Sequence, residues 1–293
     1  MHNLAKSLFK TAANAVGFKQ ALFVRLLAGL LVAVALTSCA SKPVRDDSGM
    51  SLKDARNRFN TAQALFAKKR FDKAIDKYEL IKQQFPYTPY AALSDLRIAD
   101  AHFAKKQWQE SADAYELFVR FYPQHEQVGY AAFRRARATF LAMPKGFFLL
   151  PAPYLKDAVS AKNALEALQI FLQDFSQRAT VAQVQQAQQM RQKVLQRLTK
   201  HDTAVAKFYA KRKKWPGAIA RYEQAIAWQA ADAELTAKSL FKTVDIYLSK
   251  LTPPNPQRAQ QLLQQFLQNH PNMQPYLRQK TQEWLHKAQE ANW

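Results

Sequence analysis

Residues 59–86 read FNTAQALFAKKRFDKAIDKYELIKQQFP, and residues 96–123 read LRIADAHFAKKQWQESADAYELFVRFYP. The second stretch is the first moved on by 37 positions. Ala62, Leu65, Phe66, Lys69, Phe71, Ala74, Ile75, Tyr78, Phe85 and Pro86 become Ala99, His102, Phe103, Lys106, Trp108, Ser111, Ala112, Tyr115, Tyr122 and Pro123. Size or chemical type is kept at nearly every position, which marks an internal repeat. Within a copy, apolar residues recur every three or four: Phe59, Ala62, Leu65 and Phe66, then Phe71, Ala74, Ile75, Tyr78, Ile81 and Phe85. That spacing is one face of a helix, met twice. The basic turn Lys68-Lys69-Arg70 divides the two, so each copy is a helical hairpin. The small Ala62 and Ala74 let its helices A and B approach closely. Pro86 stops helix B, because it lacks a donor and clashes with the preceding turn. One hairpin cannot bury its stripe alone. Stacked neighbours can, and the result is an all-α superhelical solenoid.

Three weaker copies bring the total to about five. Ala136 and Phe140 stand for helix A of the third, with Ala164, Leu168 and Phe171 in its helix B, which ends at Phe175-Ser176 without the closing Pro. An insertion rich in Pro and Phe, Met143 to about Asp157, parts them. The fourth copy has Ala206, Tyr209, Trp215, Ala218 and Tyr222. The fifth has Tyr247, Ala259, Leu263, Phe266 and Pro271, with a Pro-rich turn from Leu251 to Pro256. Val181 to Lys214 holds neither Pro nor Gly. It reads as one long helix, or two nearly continuous ones, between an N-terminal group of three repeats (51–180) and a C-terminal group of two (181–293). The amphipathic stretch from Tyr276 to about Asn292 caps the open end. The small residue, the aromatic four places later and the closing Pro together resemble the tetratricopeptide repeat.

The first residues carry a different signal. Lys6, Lys10, Lys19 and Arg25 form a basic opening with no acid before Asp46. Leu26 to Leu36 is an apolar run of 11 residues, well short of the ~20 that span a membrane. This is a secretory leader, residues 1–38. Leu36-Thr37-Ser38-Cys39 resembles the bacterial lipobox, in which small residues admit the signal peptidase and the Cys thiol receives diacylglycerol. Cys39 is then the acylated N-terminus of the mature chain, and more than one acyl chain gives stable anchoring. Ala40 follows where Asp commonly retains such proteins in the inner membrane, which points to the outer membrane, periplasmic face. Residues 39–50 read as a flexible tether. Cys39 is the only Cys, so no disulfide forms within the chain.

The formal charge is +21. The leader accounts for four of these charges and leaves +17. Such a balance invites a nucleic-acid reading, but export opposes it, and the charges are spread along helices. Phosphates on lipid headgroups, or acidic faces of partner proteins, suit it better. Nothing points to catalysis. The six His include no pair at metal-ligand spacing and no HExxH, and G-x-S-x-G, P-loop and G-x-G-x-x-G are missing. His201-Asp202 sits mid-helix, where consecutive residues point about 100° apart. No cofactor or metal is implied.

Particular phrases narrow the reading. They are Phe85-Pro86-Tyr87-Thr88-Pro89-Tyr90-Ala91; Phe121-Tyr122-Pro123 through Tyr130-Ala131; Gly146-Phe147-Phe148; Arg197-Leu198-Thr199-Lys200-His201 leading into Val205 to Tyr209; and Ala218-Ile219-Ala220-Arg221-Tyr222-Glu223. In order and spacing they resemble the BamD (ComL-type) family of lipoproteins, over about residues 36 to 271. The resemblance implies a non-catalytic outer-membrane lipoprotein of the β-barrel assembly machinery. Its N-terminal repeats would receive unfolded barrel precursors, and its C-terminal repeats would dock on periplasmic domains of the barrel-inserting subunit. Arg221 matches a family Arg that contacts an acidic residue of that subunit. Tyr87 and Tyr90, in an inter-repeat turn, are the aromatics expected to be exposed to a precursor, while Phe85 and Tyr122 pack between repeats. The alternative is a pilotin-like or cell-wall-coordinating lipoprotein with the same repeat. The chain departs from the family where Lys213-Lys214-Trp215 replaces a turn that usually carries Gly, in its apolar insertion, and in its high positive charge. Cys39→Ala should leave the leader uncut and abolish incorporation of labelled palmitate in growing cells. Labelling at the wild-type level would remove the anchor.

Overall fold

The spacing of apolar residues becomes helix wherever the repeat was legible. The computed structural model describes residues 48–144, 158–228 and 231–291. The leader, Cys39, most of the expected tether and the insertion from 145 to 157 lie outside them. Eleven α-helices are described: α1 (Ser48–Ala67), α2 (Phe71–Gln84), α3 (Pro89–Ala104), α4 (Trp108–Phe121), α5 (Val128–Ala142), α6 (Val159–Ile170), α7 (Val181–Lys211), α8 (Trp215–Ala227), α9 (Ala233–Ser249), α10 (Pro256–Asn269) and α11 (Pro275–Glu290). They pair as five hairpins, α1/α2 to α9/α10, with α11 closing the end. Helix α1 begins at Ser48, inside the stretch expected to be tether. Residues 51–293 form one unit. Helices α5, α7, α9 and α11 touch in succession, so the A helices gather on one side of the stack.

The turns from A to B repeat one backbone motif. Arg70 N–H bonds to Leu65 O and Lys69 N–H to Phe66 O; Gln107 does so to His102 O and Lys106 to Phe103 O; Lys214 to Tyr209 O and Lys213 to Ala210 O, all at 2.9–3.0 Å. This is the Schellman arrangement, which satisfies the last carbonyls of a helix. It requires a left-handed residue, and Lys69, Lys106 and Lys213 supply it at φ 57°, 62° and 57°. Each costs about 1 kcal/mol relative to an unstrained backbone. The missing Gly of the fourth repeat therefore does not reshape that hairpin, because Lys213 adopts the glycine conformation. The aromatics beside the turn pair the same way twice, Phe66 on Phe71 and Phe103 on Trp108, with centroids 5.3 and 5.0 Å apart.

The turns from B to the next A obey proline. Phe85, Tyr122 and His270, each just before a Pro, leave the helix at φ −125° to −132° and ψ 50° to 61°, outside the α region that the pyrrolidine ring disfavours for the residue before it. The third hairpin lacks that Pro, and its helix B does not stop cleanly. It widens into a π-turn at Phe171–Phe175 and ends in a 3₁₀ turn at Ser176–Arg178. Thr180 then caps α7 through a reciprocal pair with Gln183.

Helix α7 is continuous over 31 residues. Its first half, with Ala187, Met190, Val194, Leu195 and Leu198, completes the core of the third hairpin. Its last turns, with Ala206 and Tyr209, are helix A of the fourth. The expected division at 180/181 thus falls beside a helix that both groups share. Gly129, on α5, meets the 3₁₀ turn so closely that an added Cβ would lie 1.9 Å from the Arg178 carbonyl oxygen. Arg178 fastens that turn by donating to Pro123 O at 2.7 Å and His125 O at 3.1 Å. Gly129→Ala should therefore cost about 3 kcal/mol or more, since backbone must move. Urea denaturation checks this, and an unchanged midpoint would contradict the close approach.

Candidate functional site

Among the described residues, one polar centre stands out in the N-terminal group of repeats and two in the C-terminal group. In the N-terminal group, Arg97, Asp100 and Phe103 recur every three residues on α3, and Tyr130, Arg134 and Arg137 recur at four and three on α5. These stripes meet over Tyr115 of α4. Asp100 is 4% exposed. Its Oδ1 accepts from Tyr115 at 2.5 Å and Tyr130 at 2.7 Å, and its Oδ2 from Arg97 at 2.8 Å. Arg134 donates from Nε to the Tyr115 hydroxyl at 3.0 Å and lies over the Phe103 ring, its guanidinium carbon 3.6 Å from the centroid. Arg137 reaches the same ring at 5.5 Å. Burial, then the charge of Asp100, push the Tyr115 hydroxyl well up and Tyr130 up to about 12, so both remain donors. Two guanidinium groups, Arg97 and Arg134, face the carboxylate, and Arg137 stands beside the Phe103 ring. The surplus is positive, and their further N–H groups are suited to carboxylates or backbone carbonyls.

In the C-terminal group, Asp202 of α7 is 3% exposed. Its Oδ1 accepts from Arg221 at 3.1 Å and its Oδ2 from the Trp228 indole at 2.7 Å. The Arg221 side chain is 48% exposed. The residue expected to meet a partner's acid is thus held by an acid of its own chain, with half its surface left open. That leaves the planar fork oriented before any partner arrives.

Tyr87 is fully exposed. Tyr90 is not; it is half-buried, its ring 5.5 Å from Phe59 in the first core. Phe85 packs in that same core, and Tyr122 packs on Phe118 at 5.2 Å while its hydroxyl donates to Asp95 at 2.8 Å. Gly146-Phe147-Phe148 lie outside the described residues. Sequence reasoning missed Asp100, Arg134 and Asp202. For Asp100 the available signal was an acid flanked by Ala99 and Ala101 on a buried stripe, with Arg134 about one repeat further on; Asp202, between His201 and Thr203, carried no such signal. Among the described residues no group of three His, Cys, Asp or Glu gathers as a metal site, and no helix is long and apolar enough to cross a membrane.

The fold defines a helical-repeat protein. Residues 52–263 match the YfiO family, described as outer membrane lipoprotein. The match covers most of the chain, and the chain belongs to that family. No curated protein matches it. Among solved structures it is similar to one titled "TPR2AB-domain:pHSP90-complex of yeast Sti1", with a TM-score of 0.37 and 14% identity over 82% of this chain and 84% of that one.

A third centre joins the fourth and fifth hairpins. Glu223 of α8 accepts a fork from Arg258 of α10, both bonds 3.0 Å, and a bond from the Tyr247 hydroxyl of α9 at 2.9 Å. Burial opposes the Glu223 charge, but the hydrogen bonds from Arg258 and Tyr247 outweigh it and hold the carboxyl below its ordinary value. A depressed carboxylate stabilises the fold above its unfolded pKa, about 4.5, and that contribution disappears as pH falls through the folded value. Glu223→Gln should cost about 1–2 kcal/mol at neutral pH, the half-open Arg258 limiting the effect. The gap from wild type should narrow as pH falls below the unfolded value and through the folded one. Urea titrations at several pH values measure this; a gap independent of pH would remove the charge from the account.

Proposed function

We propose that the chain is a non-catalytic subunit of the outer-membrane β-barrel assembly machinery, anchored through Cys39 and facing the periplasm. The N-terminal repeats receive barrel precursors, and the C-terminal repeats dock on the barrel-inserting subunit. The observation that carries this is the match of residues 52–263 to a family of outer membrane lipoproteins, supported by a stack that sets guanidinium groups beside aromatic rings. An incoming barrel strand is extended, with aromatic side chains and unpaired carbonyls. The Arg97, Arg134 and Arg137 surplus beside Phe103 and Tyr130 suits such a segment, and the exposed Tyr87 adds an aromatic at the neighbouring turn. Arg221, held flat by Asp202, suits a carboxylate on the partner subunit. Membrane anchoring raises the effective concentration of both partners, so modest contacts suffice.

Affinity purification of the acylated protein from outer membranes should recover a large β-barrel protein with repeated periplasmic domains. Arg221→Ala should weaken that recovery roughly tenfold or more, and Arg221→Lys should restore little, because a point charge does not reproduce the fork. Recovery of pilus or cell-wall components instead would replace this reading with the pilotin-like or wall-coordinating one.

A further inference from the structure

The turns from helix A to helix B lie along one edge of the stack, and three of them contain residues 68–70, 105–106 and 211–214. All nine of these residues are Lys or Arg. Lys69, Lys106 and Lys213 occupy the same step of the Schellman turn, left-handed and exposed, where glycine is the least strained residue. The edge thus carries cations where the backbone alone would favour no side chain at all. Asp72, two residues after the first of these turns, is taken by Lys105 of the next hairpin. At the end of α7, Arg212 lies over Phe208, its guanidinium carbon 3.5 Å from the ring centroid, and Phe208 is 52% exposed.

We propose that this edge rests on the anionic phospholipid headgroups of the membrane that holds the chain, an inference that depends on the anchoring proposed above. Seven of the nine residues are Lys. Lys is a mobile point charge that suits diffuse, shifting phosphates, whereas Arg forks suit fixed carboxylates. The cations run as a row across repeats and not as a pocket, which fits a plane. Basic stems with an exposed aromatic among them are the composition that settles at a lipid interface. The nine residues from Cys39 to Ser48 reach at most roughly 32 Å. Helix α1, with 20 residues, is about 30 Å long. An anchor at Cys39 therefore lets the far end of α1 meet the surface.

The test uses the full acylated protein bound to preformed vesicles of phosphatidylcholine, alone or mixed with phosphatidylglycerol. Trypsin should cut at residues 68–70 and 211–214 at least about fivefold more slowly on the mixed vesicles, and added salt should erase the difference. The triple variant Lys69→Gly, Lys106→Gly, Lys213→Gly should lose most of this protection while melting no lower than wild type, since glycine is unstrained there. Equal cutting on both vesicles overturns the proposal. Protection that appears only when the captured barrel protein is added also overturns it and makes the edge a protein interface. Protein that floats with neither vesicle overturns the anchoring together with this inference. Recovery of partners in the pull-down is read separately and does not depend on the cutting.

Discussion

Four of the five hairpins rest on helices A and B passing each other at side chains no larger than a methyl or hydroxymethyl group. Ala62 with Ala74, Ala99 with Ser111, Ala136 with Ala164, and Ala206 with Ala218 are all wholly buried. In the second pair the Ser111 hydroxyl donates to the Ala99 carbonyl at 3.1 Å. Such pairs set the helices at the short end of the usual 8–10 Å separation. The larger residues then fall to either side of the crossing. Tyr78, Tyr115 and Tyr222 are buried four residues beyond the small residue of helix B, and the rings that flank the A-to-B turn meet edge to face. A larger side chain at the crossing would part the helices and open the core on both sides.

Apolar packing positions the hairpins, while three carboxylates, Asp100 and Asp202 buried and Glu223 half-buried, tie helices together, Asp202 within the fourth hairpin and the other two across to a neighbouring one. Asp100 ties α3 to α4 and α5, Asp202 ties α7 to α8, and Glu223 ties α8 to α9 and α10. Each is nearly fully satisfied, which is the condition under which a buried charge adds order instead of cost. The same ties leave arginines at the surface in fixed orientations.

The hairpins were legible because their causes are local. A stripe every three or four residues, a small residue at the crossing and a Pro after helix B each act within a few positions, and Phe85, Tyr122 and His270 adopt nearly one conformation as a result. Three things were not legible. The left-handed lysines were hidden because Lys carries no preference for that conformation; the Schellman bonds of the folded turn impose it. The π-turn at Phe171–Phe175 shows only as an absent Pro. The carboxylate centres depend on partners about a repeat away in sequence, as Glu223 does on Arg258, and no local pattern announces such a pair. Tyr90 and Tyr87, three residues apart in one turn, looked alike; which one the first core would claim was set by Phe59 across the hairpin.

A stack of repeats ordinarily behaves as a row of units coupled only to neighbours, each free to open at a modest cost. Helix α7 breaks that independence. Because one rod supplies wall to the third hairpin and half of the fourth, neither loses its structure without unravelling the other. Fraying is thereby confined to the two ends of the stack. A tilt imposed on the third hairpin by a bound polypeptide is carried along α7 to Asp202, and with it to the guanidinium that Asp202 holds. The stack thus contains a lever, one rod that joins the third hairpin to the guanidinium of Arg221.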